Sequence, residues 1–165
     1  MLIDNRPSPV PLVESIPSTQ AASSVASSAL CRLDEISRLV ETLVAAWYDA
    51  PLVQQQRGKH RIPFDQPLAL TPLDDKTEEF IGQPQIVAGR NLSLDGVSFS
   101  HEQPMPFRKI ALTFALPDGE VESMVTRLRW CRFTRDGLYQ SGGTFLRTIR
   151  SPIGSDVDWM LLPRA

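Results

Sequence analysis

The chain has 165 residues, of which 42% are hydrophobic and 22% are charged, and its 17 basic residues are balanced by 19 acidic ones. These values are ordinary for a globular protein and provide enough apolar material for one domain with a modest extension. The formal net charge of −2 excludes a general positive field of the kind that attracts nucleic acid, so any anion site must be built locally.

Residues 1–25 are rich in Pro, Ser and Ala and poor in large apolar side chains. Such a segment cannot bury enough surface to offset the entropy lost on ordering, so we expect a flexible tail. We predict no signal peptide and no membrane-spanning stretch, because no charged segment is followed by a long apolar run. We therefore expect a cytoplasmic protein in which Cys31 and Cys131 stay reduced.

Between residues 26 and 50, apolar residues recur in steps of three and four, which predicts an amphipathic helix that ends before Pro51. Its stripe either packs on the protein's own domain or forms a seam with a second copy, giving a homodimer. Two to three heptads are marginal for an isolated coiled coil, which favours the first interpretation. The stripe contains Leu33, Ile36, Val40, Leu43 and Trp47.

A polar, basic loop is expected over residues 51–63, with the run Arg57-Gly58-Lys59-His60-Arg61 inside it. An arginine guanidinium can fork onto guanine O6 and N7, pair with a phosphate, or stack on a base. Lysine cannot replace arginine in the forked or stacked roles. Taken alone, however, this cluster is typical of an ordinary solvated loop.

From residue 64 the pattern becomes that of β-strands, and Asp-Gly pairs at 118–119 and 136–137 mark two hairpins. Short strands without intervening helices predict a barrel or a sandwich, and a meander that closes into a small barrel is the simplest topology. The predicted strands cover residues 64–73, 85–88, 97–100, 109–116, 121–134 and 138–147.

Within the strand region, Asn91-Leu92-Ser93-Leu94-Asp95-Gly96 alternates polar and apolar side chains. The Asn91 amide and the Ser93 hydroxyl can together hydrogen-bond a base edge or a phosphate. Gly96 supplies either a positive φ or room for a close backbone approach. Alone, this cluster is typical of an ordinary polar turn.

Residues 151–165 form a C-terminal segment that is expected to cover one end of the barrel, partly as a short helix. Its apolar residues are Val157, Trp159, Met160, Leu161 and Leu162. Trp130 and Trp159 are expected in the core or at a barrel end. No metal site is predicted, because His60 and His101 have no ligands at suitable spacing, and the acidic run at 74–79 is typical of a solvated loop.

The two polar clusters together resemble the signature of the PilZ family, which is R-x-x-x-R followed by [DN]-x-S-x-x-G. Arg57 and Arg61 match its first half, and Asn91, Ser93 and Gly96 match its second. The resemblance covers roughly residues 54–150 and includes the long hairpin that ends in Tyr139–Phe145. The helix and the tail lie outside it.

The resemblance implies a mostly β fold, a six-stranded antiparallel barrel (residues 64–150) that binds cyclic di-GMP at its outer surface. It also implies that Arg57 and Arg61 reach guanine Hoogsteen edges and phosphates, that Asn91 and Ser93 contact the ligand from the barrel, and that Gly96 shapes the turn. Three further residues are candidates for secondary contacts: Gln56, His60 and Arg90. Gln56 stands where many members carry another arginine, which leaves the ligand stoichiometry open.

The expected function is therefore a cyclic di-GMP receptor, not an enzyme, that converts ligand binding into a conformational or partner-binding change. A protein partner is expected, and nucleic acid is not. One alternative is a PilZ-like interaction module that binds no nucleotide. Another is a small barrel for single-stranded nucleic acid, with Trp130 beside a basic strand, which the net acidic charge disfavours. Its cations would be Arg57, Lys59, Arg127, Arg129 and Arg132.

Overall fold

The computed structural model describes residues 20–48 and 61–165. These residues form one α-helix, α1 (Gln20–Trp47), seven β-strands and one turn of 3-10 helix (Trp159–Leu161). The strands are β1 (Ile62–Pro63), β2 (Pro67–Leu73), β3 (Gln85–Ser93), β4 (Gly96–His101), β5 (Lys109–Ala115), β6 (Val121–Phe133) and β7 (Tyr139–Ile149).

Strands β2 to β7 form a closed antiparallel barrel. They follow the order β3-β2-β5-β6-β7-β4, and an additional pairing of β4 with β3 closes the ring. The two-residue β1 adds to β3 on the side where β2 pairs with the first half of that strand. The predicted mostly β fold with a six-stranded antiparallel barrel and an N-terminal helix is thus confirmed.

The chain between β1 and β2, residues 64–66, has no regular secondary structure. The sequence predicted one continuous strand over residues 64–73. Gly89 on β3 lies against this irregular segment, and a Cβ at Gly89 would come within 2.5 Å of the Phe64 oxygen and 2.7 Å of the Gln66 oxygen. The β3 strand is also longer than the predicted 85–88, because residues 89–93 pair with β4.

The helix begins at Gln20, six residues earlier than predicted and inside the range 1–25 that was expected to be a tail. Alanine has the highest helix propensity, and Ala21, Ala22, Ala26 and Ala29 favour this extension. The helix ends at Trp47, and residues 49 and 50, predicted as its last turn, lie outside the described residues. The tail prediction for residues 1–19 lies outside them too.

One face of α1 is buried against the chain's own barrel, as the first interpretation of its stripe predicted. Ile36, Val40 and Leu43 are buried in the same apolar cluster as the barrel phenylalanines. The Trp47 indole Nε1 donates a hydrogen bond to the Ala115 carbonyl at 2.9 Å. Leu33, by contrast, is 59% exposed, because it lies one turn before Ile36, where the buried stripe starts.

The C-terminal segment contacts the barrel differently from the prediction. Met160 and Leu161 of the 3-10 turn are 90% and 82% exposed, so these apolar side chains do not cover the barrel. The contact is made instead by backbone: the Ile86 N–H donates to the Pro163 oxygen at 2.7 Å, and the Ala165 N–H donates to the Ile86 oxygen at 3.0 Å. Ala165 is buried at the end of this contact.

Glu78, in the segment between β2 and β3, joins that segment to two barrel strands. Its carboxylate binds Lys109 Nζ and Arg147 Nη2, each at 2.7 Å. The hydrogen bond from Lys109, followed by the one from Arg147, lowers the pKa of Glu78 from its ordinary value of 4.5 to about 2. Glu78 is also the one non-glycine residue with positive φ (58°) in the described ranges, so this contact holds a left-handed backbone in place.

The Glu78 contact predicts a pH-dependent stability. Because the folded-state pKa is depressed, its contribution is complete above about pH 4.5 and is lost as the pH falls towards 2. We expect Glu78→Gln to lower the free energy of unfolding at pH 7 by about 1–2 kcal/mol, since the partly exposed side chains are screened by solvent. Urea unfolding at several pH values measures this.

The difference in the free energy of unfolding between native protein and Glu78→Gln should shrink as the pH falls from 4.5 to 2. Glu122→Gln is the matched control, because Glu122 is exposed on β6. An equal loss in both variants, or a difference that stays constant across this pH range, would contradict the prediction.

Candidate functional site

A pocket of about 220 Å³ lies where β3, β4, β6 and β7 meet beside the start of β1. Four of the five predicted ligand residues line it: Arg61, Asn91, Ser93 and Gly96. Two segments separated by about 30 residues in sequence thus contribute to one cavity. The fifth residue, Arg57, lies outside the described residues, as do Gln56 and His60.

Arg61 reaches the pocket because of the short strand that follows it. In β1, Ile62 pairs with Leu92 and Pro63 pairs with Asn91, so the chain is aligned with the polar half of β3. Arg61 itself is exposed. The pairing therefore places an arginine next to Asn91 and Ser93 without burying its charge.

Two β-bulges border the pocket. The β3–β4 register shifts between Gly89 and Asn91, which makes Arg90 the extra residue, and its oxygen accepts the Phe64 N–H at 3.0 Å. The β6–β7 register shifts between Leu128 and Trp130, which makes Arg129 the extra residue. Bulges bend a strand and redirect its side chains, and they are common beside functional sites.

The two bulged arginines differ in whether they line the pocket. Arg129 lines the pocket, and its Nε donates a hydrogen bond to Thr144 Oγ1 at 3.3 Å. Arg90, a candidate for a secondary contact, is exposed and is not among the lining residues. The sequence missed Arg129 as a pocket residue because strand periodicity does not show a bulge.

Hydrogen bonds hold the polar groups on the β3–β4 side of the pocket. Asn91 Nδ2 donates to Ser98 Oγ at 3.3 Å, and Ser93 Oγ donates to the Gly96 oxygen at 3.1 Å. The Phe145 N–H of β7 donates to the Asp95 oxygen at 2.9 Å. These contacts fix the turn between β3 and β4 against the neighbouring strand.

Gly96 is required by a close backbone approach. A Cβ at this position would overlap the carbonyl oxygen of Gly143 on β7. The positive-φ glycines of the described residues are Gly119 and Gly137, so Gly96 does not serve as a left-handed turn residue. Of the two roles that the sequence left open for Gly96, the structure selects room for the backbone.

Trp130 is the main difference between the predicted and the observed site. It was expected in the core or at a barrel end, but it is 37% exposed and lines the pocket. Its indole lies against Gly142, where a Cβ would overlap the ring. The Arg132 guanidinium carbon lies 5.2 Å from the ring centroid, which stabilises this placement by a cation–π contact.

The pocket combines two exposed cations, Arg61 and Arg129, with one aromatic plane and several hydrogen-bonding side chains. This set of groups suits an anion that also carries a flat heteroaromatic ring. Pockets that enclose a whole drug-sized ligand have about 300–1,000 Å³, so this cavity of about 220 Å³ fits part of such a ligand.

A second cavity of about 340 Å³ lies beside the C-terminal residues and the buried His101. The His101 Nδ1 lies 2.6 Å from the Gln103 oxygen, and its Nε2 lies 2.9 Å from Ser141 Oγ. Because a carbonyl only accepts, Nδ1 carries the proton and Nε2 accepts from Ser141. Burial lowers the pKa of His101, so the ring stays neutral and has a structural role.

Two classes of site are absent from the parts of the chain that the structure describes. No group of three or more His, Cys, Asp or Glu residues there could hold a metal ion. No helix in residues 20–48 or 61–165 has the length and apolarity to cross a bilayer.

Neither the scan against models of known protein families nor the search of curated proteins found a match to this chain.

The Gly96 contact predicts a large cost for the smallest possible side chain. We expect Gly96→Ala to lower the free energy of unfolding by about 2–3 kcal/mol, because β4 and β7 must separate to admit the methyl group. Gly119→Ala is the contrast, since nothing lies within 4 Å of its Cβ position and only its positive φ (89°) opposes the change. That strain costs about 1–2 kcal/mol. Urea unfolding compares the two, and a smaller loss for Gly96→Ala than for Gly119→Ala would contradict the close-approach role.

Proposed function

We propose that this chain is a cyclic di-GMP receptor with a PilZ-type barrel, and that it acts by binding and not by catalysis. The observation that supports this most is the pocket itself. It brings together Arg61, Asn91, Ser93 and Gly96, the described residues of the two clusters that resemble the family signature. Each cluster alone is ordinary, and their convergence in one cavity is not expected of unrelated loops.

The charge of the pocket suits a cyclic dinucleotide. Such a ligand carries two phosphates and two guanines, so it needs localised cations and flat contact surfaces. Arg61 and Arg129 supply forked donors for phosphates or for the O6 and N7 acceptors of guanine. A local pair of arginines can do this although the whole chain has a net charge of −2.

The indole ring of Trp130 provides the flat contact surface that a guanine needs. Stacking of a base on an aromatic side chain contributes about 1–3 kcal/mol per base. Trp130 is 37% exposed, with Gly142 against its ring and the Arg132 guanidinium carbon 5.2 Å from the ring centroid, so part of the ring remains available. A guanine placed there would lie between the β6–β7 hairpin and the polar groups of β3.

The cavity of about 220 Å³ suits part of the ligand, and the remainder would contact Arg57 in the segment that precedes β1 in the chain. This segment joins α1 to β1 in the chain, so a ligand that binds it would act on both the helix and the barrel. We propose that this coupling changes how α1 is held at Ala115 and so alters a surface for a protein partner in the cytoplasm.

Calorimetric titration with cyclic di-GMP tests the proposal and gives the stoichiometry in the same experiment. We expect saturable binding that weakens at least about tenfold in Arg61→Ala and in Arg57→Ala, because each change removes a charge-assisted contact. Arg135→Ala is the matched control, since Arg135 is exposed in the turn between β6 and β7 and outside the pocket lining.

Absence of binding at high micromolar ligand would overturn the proposal. Equal weakening in the Arg135→Ala control would show that binding depends on general charge. Salt-sensitive binding of single-stranded oligonucleotides in place of the dinucleotide would favour the nucleic-acid alternative.

A further inference from the structure

One acidic side chain stands in this otherwise cationic pocket. Asp95 provides the sole carboxylate among the lining residues that the structure describes. It lies beside Gly96, and it shares the cavity with Arg61 and Arg129. A carboxylate is unexpected in a site for a dianion, because like charges repel in a confined space.

The fold fixes the position of Asp95. Leu94 and Asp95 form the two-residue turn between the paired residues Ser93 and Gly96. Leu94 packs against the barrel core, whereas Asp95 is exposed. The backbone carbonyl oxygen of Asp95 accepts the Phe145 N–H at 2.9 Å, which ties the turn to β7. The turn that carries this carboxylate is therefore held in place beside the pocket.

The chemistry of guanine provides a reason for an acceptor here. Arginine has only donors, so Arg61 and Arg129 can satisfy the phosphates and the O6 and N7 acceptors of a guanine. The N1–H and the N2 amino group on the Watson–Crick edge are donors that no arginine can satisfy. These two donors point in parallel, and a carboxylate can accept both with its two oxygens.

The hydroxyl groups of the same pocket already have partners. Ser98 Oγ accepts from Asn91 Nδ2, and Thr144 Oγ1 accepts from Arg129 Nε. The Ser93 hydroxyl donates to the Gly96 oxygen. A carboxylate presents two oxygens to a pair of parallel donors, whereas each hydroxyl and the Asn91 amide present only one.

We propose that Asp95 is a specificity-determining residue that accepts hydrogen bonds from N1–H and the N2 amino group of a bound guanine. It makes the pocket select guanine over adenine, whose corresponding edge carries an unprotonated N1 that a carboxylate repels. This inference rests on the proposed function and goes beyond it. It assigns the selection of guanine to a residue that is not one of the five positions matching the family signature.

Titration of three ligands into native protein and Asp95→Ala tests this assignment. The ligands are cyclic di-GMP, cyclic di-AMP, and the cyclic dinucleotide of inosine, which lacks only the N2 amino group. In native protein we expect cyclic di-GMP to bind at least about tenfold more tightly than the inosine ligand. In Asp95→Ala this ratio should fall to near one, and cyclic di-AMP should bind as well as or better than before.

Asp95→Asn is the second variant, because it keeps the side-chain size and one acceptor oxygen, and it should retain part of the preference. Asp75→Ala, at an exposed position outside the pocket, is the matched control and should leave every ratio unchanged. Urea unfolding of each variant confirms that the fold is kept.

The outcomes separate this inference from the proposed function. If native protein binds cyclic di-GMP and Asp95→Ala keeps the full preference over the inosine ligand, the inference is overturned while the receptor proposal stands. Tighter binding of all three ligands by Asp95→Ala would mean that the carboxylate only repels phosphate, which also overturns it. If native protein binds no cyclic di-GMP, both fail.

Discussion

Strand β4 pairs with β7, and at this seam the backbones of Gly96 and Gly143 approach so closely that no side chain fits between them. The close approach holds the turn between β3 and β4 against β7, and the Phe145 N–H completes the contact at the Asp95 oxygen. Asn91 and Ser93 lie on one side of the seam, and Arg129 and Trp130 lie on the other. The pocket exists because two glycines allow these strands to meet.

The bulges at Arg90 and Arg129 determine which side chains of β3 and β6 point towards the pocket. A regular strand alternates its side chains between the two faces of the sheet, so each extra residue resets the alternation for all that follow. After Arg90 the reset brings Asn91 into register with Ser98, and after Arg129 it brings Trp130 opposite Gly142. The barrel interior keeps its apolar residues, while the ends of these strands present polar and aromatic groups to the pocket.

Much of the fold could be predicted from the sequence, because strand alternation, the Asp-Gly turns and the helical stripe are local signals. The pairing of Arg61 with the Asn91 cluster could be expected from the family resemblance, although neither cluster is distinctive alone. Trp130 was expected in the core or at a barrel end, and its 37% exposure in the pocket could not be predicted, because an apolar side chain in an alternating strand favours a core position and nothing local reveals a bulge. The exposed Met160 and Leu161 were missed for a related reason, since apolar residues indicate burial only when a surface lies opposite them.

The short pairing of β1 with β3 also fixes where the chain enters the barrel. Ile62 and Pro63 pair with Leu92 and Asn91 of β3, and Arg61, the residue directly before this pairing, lines the pocket. A side chain that is anchored beside a site by backbone pairing has a high effective concentration there, so its contact with the site is an intramolecular event. A strand of only two residues thus keeps the charge of Arg61 near Asn91 at any concentration of the protein.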